Sequence, residues 1–154
     1  MTVRIGWIGC GVHANEMLLP QLVRHDVEIA ALCDIDADRL GRAGRRYGVA
    51  PERQTRDWKE VLARGDIDAI GVAAGPSAHL EVGIAALARG LPVFAEKPPA
   101  ATAAEAQKLA DASARAGKPV VLGFMKRYST ANRIAINLVH SSEFGAPASF
   151  LGEY

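Results

Sequence analysis

Apolar residues in this chain gather in short runs of strand length, separated by longer stretches in which they recur at helical spacing. The runs VRIGWIG (3–9), EIAALCD (28–34), DAIGVAA (68–74), PVFAE (92–96) and PVVLGF (119–124) predict strands, with a weaker one near YGVA (47–50). Most are apolar at consecutive rather than alternate positions, so both faces of each strand have to be buried. Such strands belong to a parallel sheet covered by helices on its two sides. Helical spacing predicts helices over 12–24, 36–46, 56–64, 77–89 and 102–116. Gly48, Gly65, Gly90 with Pro92, and Gly117 with Pro119 close four of them. The alternation of strand and helix predicts an α/β fold, a doubly wound parallel sheet with right-handed crossovers. No internal repeat or low-complexity linker interrupts it.

Composition narrows the partners. At 154 residues with 49% hydrophobic content, the chain has the size and the apolar material for one domain with a proper core. A net charge of +1 supplies no long-range field toward nucleic acid or an anionic membrane, so neither is expected as a partner. The N-terminal MTVRIGWIG lacks the charged-then-apolar pattern of a signal peptide, and no apolar run approaches bilayer length. Cys10 and Cys33 lie inside apolar segments without a CxxC pattern, and read as small buried hydrophobes in a reducing compartment. These features point to a cytoplasmic protein. His25 and His140 have no neighbours at metal-ligand spacing, so no metal site is expected.

The first strand runs into GCGVHA, which sets Gly9, Gly11 and Ala14 in the G-x-G-x-x-G/A spacing and carries Val12 and His13 between them. Gly9 permits a tight turn, Gly11 leaves room for a pyrophosphate against the backbone, and small Ala14 lets the helix sit close to the strand. The helix start then turns its free N–H groups toward the phosphates. Asp34 ends the second strand twenty residues past Ala14, where a carboxylate accepts ribose hydroxyls and repels a 2′-phosphate. NAD is therefore expected over NADP. Asp36 reads as the cap of the helix that begins there.

The segments GWIGCGVHA, Asp34, DAIGVAAGPSAH, GLPVFAEKPPA and VVLGFMKRYS occur in the order and spacing of the Gfo/Idh/MocA oxidoreductases, which the whole chain resembles. The Glu96-Lys97-Pro98 triplet is the most specific element. The resemblance implies an N-terminal Rossmann domain, here 1–125, and a larger substrate domain of which 126–154 is an incomplete beginning. It implies hydride transfer between NAD and a sugar, inositol or related polyol, with Lys97 assisting proton transfer and a proline after it that is often cis. A truncated module that holds NAD(H) without turnover is the alternative, and a methyltransferase using S-adenosylmethionine a distant third.

Lys97 leaves the carboxyl end of its strand, where an open parallel sheet binds its ligand, and partial burial would lower its pKa toward a useful range. Glu96 reads as a charge partner or a nicotinamide contact. His79, in the first turn of its helix, stands where the family keeps a histidine near the crevice, with a helix-surface or capping role as the alternative. Ala74, Gly75 and Pro76 replace the family's Thr-Pro-Asn, so contacts from that loop are expected from backbone. Arg127 matches the family's basic residue after the sixth strand, or is a solvated cation. His13 lies beside the phosphate turn, or is an exposed helix-start histidine. Trp7, Trp58, Phe94 and Phe124 read as packing. The tail SSEFGAPASFLGEY predicts a helix end, a turn at Gly145 to Pro147 and a strand over 148–154. An unpaired strand there would invite a second copy, so a homo-oligomer is expected, with a dimer the simplest form.

Overall fold

Strands without a polar face leave the sheet no side that water could cover, and the chain answers by wrapping both sides with helices. The computed structural model describes residues 2–149, in two compact units, Met1–Gly123 and Phe124–Tyr154. In the first, β1 (Arg4–Ile8), β2 (Glu28–Cys33), β3 (Gln54–Thr55), β4 (Ala69–Val72), β5 (Val93–Ala95) and β6 (Val120–Leu122) form one sheet in the order β3-β2-β1-β4-β5-β6. Every neighbouring pair is parallel. Strand order reverses between β1 and β4, and at such a switch point the carboxyl ends of the strands open a ligand crevice.

The helices are α1 (Leu19–Arg24), α2 (Ala37–Tyr47), α3 (Trp58–Leu62), α4 (Pro76–Ala88) and α5 (Ala103–Ala116). Alternation along β1 sends Ile5 and Trp7 to one face, where they join Leu19 of α1 and Leu40 and Ala43 of α2. Ile8 joins the other face, with Val61 and Leu62 of α3, Val82, Ala86 and Leu87 of α4, and Leu109 and Ala112 of α5. Each fully buried Val or Leu contributes roughly 1.5–3 kcal/mol relative to its exposed state. In the sheet register Gly71 of β4 lies between Trp7 of β1 and Phe94 of β5. The rings of Trp7 and Phe94 stack above it, centroids 6.1 Å apart at 25°. A Cβ at Gly71 would overlap the Trp7 ring.

Three expectations are corrected. YGVA is not a strand: Tyr47 ends α2, Gly48 is its left-handed cap (φ +69°), and the Val49 N–H returns 2.9 Å to the Gly44 carbonyl. Val49 is buried as the apolar contact of that cap, and the strand comes later, at polar Gln54 and Thr55. The helix over 12–24 is not one α-helix, because Ala14–Leu18 is π-helical and interrupts α-helix at Val12 and His13 before it and Leu19–Arg24 after it. The Leu19 N–H reaches back to the Ala14 carbonyl, while Pro20 has no N–H for the next carbonyl along, that of Asn15. The Tyr47 hydroxyl donates to that carbonyl instead, at 2.6 Å. Finally, α3 runs from an Asp57 cap only to Leu62, and Gly65 does not cap it.

In the second unit a 3₁₀ turn, Met125–Tyr128, leads to α6 (Thr130–Val139). Ser129 caps α6 by accepting from the Asn132 N–H at 3.2 Å, and the Asn132 amide donates to the Lys126 carbonyl. Gly145 takes φ +75° in the expected turn. Most of the expected strand over 148–154 lies outside the described residues.

Candidate dinucleotide crevice

The glycine turn is built from the end of β1 outward. Gly9 donates to the Cys33 carbonyl at 2.8 Å and adopts φ +97°, and a Cβ there would strike the Ala73 carbonyl. No other residue fits that combination of sign and space. At Gly11 a Cβ would meet no protein atom within 4 Å, so the space its missing side chain leaves open is lined by no group of the chain itself. Val12 is exposed, whereas Ala14 is buried at the helix–sheet contact. Two side chains hold the turn's carbonyls: Trp7 Nε1 donates to Gly9 O at 2.8 Å, and Asn15 Nδ2 donates to Cys10 O at 2.6 Å and Gly11 O at 3.2 Å. With its carbonyls tied back and its N–H groups at a helix start, the turn suits a pyrophosphate.

Asp34 follows β2, and its carboxylate is 7% exposed. It accepts from the Cys10 N–H at 2.7 Å and the Asp36 N–H at 2.8 Å, which ties the β2 end to the glycine turn. A carboxylate offers about four lone-pair sites, so acceptor capacity remains for ribose hydroxyls. Asp36 caps α2 as expected, accepting from the Asp38 and Arg39 N–H groups. The bond from the Arg39 N–H, with the Arg39 charge behind it, holds the Asp36 carboxyl below the usual range. The Arg39 guanidinium is engaged by both carboxylates, 3.1 Å from Asp36 and 3.8 Å from Asp34. Beside them opens a hollow of about 480 Å³ lined by Ile35, Asp36, Ala37, Asp38, Arg39 and Arg56, with apolar Ile35 exposed. Its size and mixed lining suit the adenosine end of a dinucleotide. The neighbouring thiols, Cys10 and Cys33, are pushed up to about 12, by burial first and by the Asp34 charge next.

At the end of β5, Glu96 is buried, and its Oε2 accepts from the Lys97 N–H at 3.1 Å. Gly123, after β6, gives it room, since a Cβ there would overlap the carboxylate. The Lys97–Pro98 bond is cis. Lys97 is exposed, which corrects the expected partial burial. His79 is 1% exposed, which excludes the helix-surface alternative. Its Nε2 accepts from the Ala74 N–H at 3.1 Å and its Nδ1 lies 2.8 Å from the Pro98 carbonyl. Ala74 is thus held by its backbone. His13 Nε2 lies 3.5 Å from Glu96 Oε1. Arg127 belongs to the 3₁₀ turn of the second unit, where it is exposed.

The first unit therefore gathers Gly9, Gly11, Val12, His13, Ala14, Asp34, Ala74, His79, Glu96 and Lys97 at the carboxyl ends of β1, β2, β4 and β5. Sequence reasoning missed four residues. Trp7 and Asn15 tie the glycine turn, and only Asn15, a polar residue one step past Ala14, left a visible signal. Ile35 and Arg56 line the hollow, and an apolar Ile35 between two aspartates was the mark that could have found it.

A model of the oxidoreductase family with the NAD-binding Rossmann fold, Gfo/Idh/MocA, matches residues 3–124. The chain belongs to this family. Among Gfo/Idh/MocA relatives, inositol 2-dehydrogenase of Salmonella paratyphi B is 33% identical over 157 aligned residues, spanning 100% of this chain and 46% of the relative. The WlbA dehydrogenase of Chromobacterium violaceum, solved with NADH and UDP-GlcNAcA, superposes with a TM-score of 0.84 at 25% identity, over 94% of this chain and 41% of that one. A 3-ketoreductase from Actinomadura kijaniata, solved with TDP-benzene and NADP, gives 0.80 at 28% identity over 90% and 43%. The Gfo/Idh/MocA chain described here thus spans less than half the length of these relatives, and what it presents is the family's NAD-binding Rossmann domain. No helix among its described residues is long and apolar enough to cross a membrane.

Proposed function

We propose that this chain binds NAD(H) in preference to NADP(H) and serves a dehydrogenase acting on a secondary hydroxyl of inositol, a related polyol or a sugar. One observation carries the reading: across the sheet Asp34 follows β2, the glycine turn follows β1 and Lys97 follows β5, all at carboxyl ends and in the order in which a dinucleotide carries its adenosine ribose, pyrophosphate and nicotinamide. The bound nicotinamide would supply the hydride acceptor. The glycine turn would hold the pyrophosphate and Asp34 the adenosine ribose, where two carboxylates already occupy the Arg39 cation that a 2′-phosphate needs. Lys97 would orient the substrate hydroxyl and move its proton, with Glu96 and the Ala74 backbone framing the same end of the crevice. Residues 126–154 would begin the substrate domain. The inositol 2-dehydrogenase relatives support the polyol class. Buried, unpaired Cys10 and Cys33 support a cytoplasmic setting. A homo-oligomer belongs to the same proposal, and light scattering that returns a monomer would remove it.

The test is calorimetric titration with NADH and NADPH of wild type and Asp34→Ala. Saturable NADH binding that weakens at least about tenfold in the variant is expected, since the ribose hydrogen bonds to a charged group are lost. Equal affinity for NADPH would overturn the NAD preference, and no binding would overturn the cofactor reading. The exposure of Lys97 favours a second reading, a non-catalytic NAD(H)-binding module. Formation of NADH from NAD with myo-inositol, reduced about 10²- to 10⁴-fold in Lys97→Ala, separates the two.

A further inference from the structure

Two residues of the crevice meet across a strand that belongs to neither. His13 lies in the turn that follows β1, and Glu96 follows β5 directly. β4 runs between those strands, so at about 4.8 Å per strand their backbones stand roughly 10 Å apart. Even so, His13 Nε2 comes within 3.5 Å of Glu96 Oε1. The imidazole therefore crosses the carboxyl end of β4.

The two partners differ in freedom. Glu96 is 8% exposed and fixed from two sides, by the Lys97 N–H and by the close approach of Gly123. The His13 side chain is 50% exposed. The carboxylate is the anchor and the imidazole the arm. A dinucleotide lying from Asp34 to Lys97 brings its pyrophosphate to the glycine turn, within about one Debye length, 8–10 Å, of a carboxylate that water screens poorly. His13 is the group between those anions. The imidazole has two ring nitrogens, so one can face each anion. Glu16 lies three residues further along the π-helical segment.

We propose that His13 and Glu96 act as one coupled unit in dinucleotide binding: His13 screens the Glu96 carboxylate from the pyrophosphate, and Glu96 holds the imidazole at the glycine turn. The proposal rests on the cofactor reading above and goes beyond it in making two separate contacts interdependent.

NADH titration of wild type, His13→Ala, Glu96→Gln and the double variant measures the coupling. His13→Ala is expected to weaken NADH binding about fivefold or more with Glu at position 96, and by no more than about twofold with Gln there. Equal weakening in both backgrounds, or none in either, overturns the proposal. A ligand-free readout stands beside it: in imidazole ¹⁵N spectra the His13 Nε2 signal is expected to move in Glu96→Gln and to hold in Glu16→Gln. An Nε2 signal that stays put in Glu96→Gln, in a chain that binds NADH, overturns the pairing alone. A wild-type chain that takes up no NADH overturns the cofactor reading and the proposal with it.

Discussion

Nδ1 of His79 lies 2.8 Å from the carbonyl oxygen of Pro98, and through this contact α4 holds the turn that presents Lys97. Because Nε2 accepts from the Ala74 N–H, the ring proton sits on Nδ1 and is donated to Pro98. One buried ring thus ties the β4 loop to the β5 turn. His79→Ala leaves an N–H and a carbonyl without partners and opens a cavity, and urea unfolding is expected to register a loss of about 2–4 kcal/mol. A loss under about 0.5 kcal/mol would mean that neither bond contributes to the fold.

Gly9 and Gly11 make opposite predictions. Gly9→Ala forces a side chain into a positive φ and against the Ala73 carbonyl, so it should unfold the turn and cost several kcal/mol, roughly 3 or more. Gly11→Ala adds a methyl where no protein atom stands within 4 Å. Its melting temperature should match wild type while NADH binding is lost, and a Gly11→Ala chain that binds NADH normally would remove Gly11 from the site.

Acid stability should report the Arg4–Asp68 pair at the far end of β1. The Arg4 side chain and N–H both donate to the Asp68 carboxylate, and those bonds lower its pKa to about 2 from 3.8. A depressed folded-state pKa means stability that is present above about pH 4 and lost as pH falls through about 2. Asp68→Asn should therefore flatten the acid limb of melting temperature against pH across that window. The change will be small, because both side chains are some 40% exposed.

The cysteines should be silent. With both thiols at about 12, neither forms appreciable thiolate near pH 8, and both are buried. Native protein should show no thiol fast to a disulfide reagent, and two once unfolded in guanidinium. A fast native thiol would contradict the burial that raises them.

What the sequence made legible follows from where side-chain identity decides structure. The long strands β1, β2 and β4 and helices α2, α4 and α5 announced themselves, because burial on both faces leaves continuous apolar runs and Asp36, Gly48 and Gly117 mark helix ends. The glycine turn was readable because Gly9 and Gly11 answer to backbone space and Asp34 through its spacing from that turn, whereas the Glu96–Pro98 segment was readable through its resemblance to the family's triplet. β3 was not, since two polar residues at a sheet edge carry no pattern and are set by the pairing of Leu32 with Gln54 and Cys33 with Thr55. The π-helical segment was hidden too, because its cause is a missing N–H at Pro20 and a hydroxyl from Tyr47, 32 residues from its acceptor. The His13–Glu96 contact needed the strand order before it could be seen.

The stack of Trp7 and Phe94 over Gly71 has a consequence for how this sheet can vary. Three strands share one fixed volume, two rings and an empty tile between them, so the positions are not free to drift singly. A larger residue at 71 is admissible only alongside a smaller one at 7, and the indole that shrinks also releases its hold on the Gly9 carbonyl. Substitutions at the centre of the sheet are thereby linked to the glycine turn, and in any collection of sequences that keep this crevice, positions 7, 71 and 94 should change as a group.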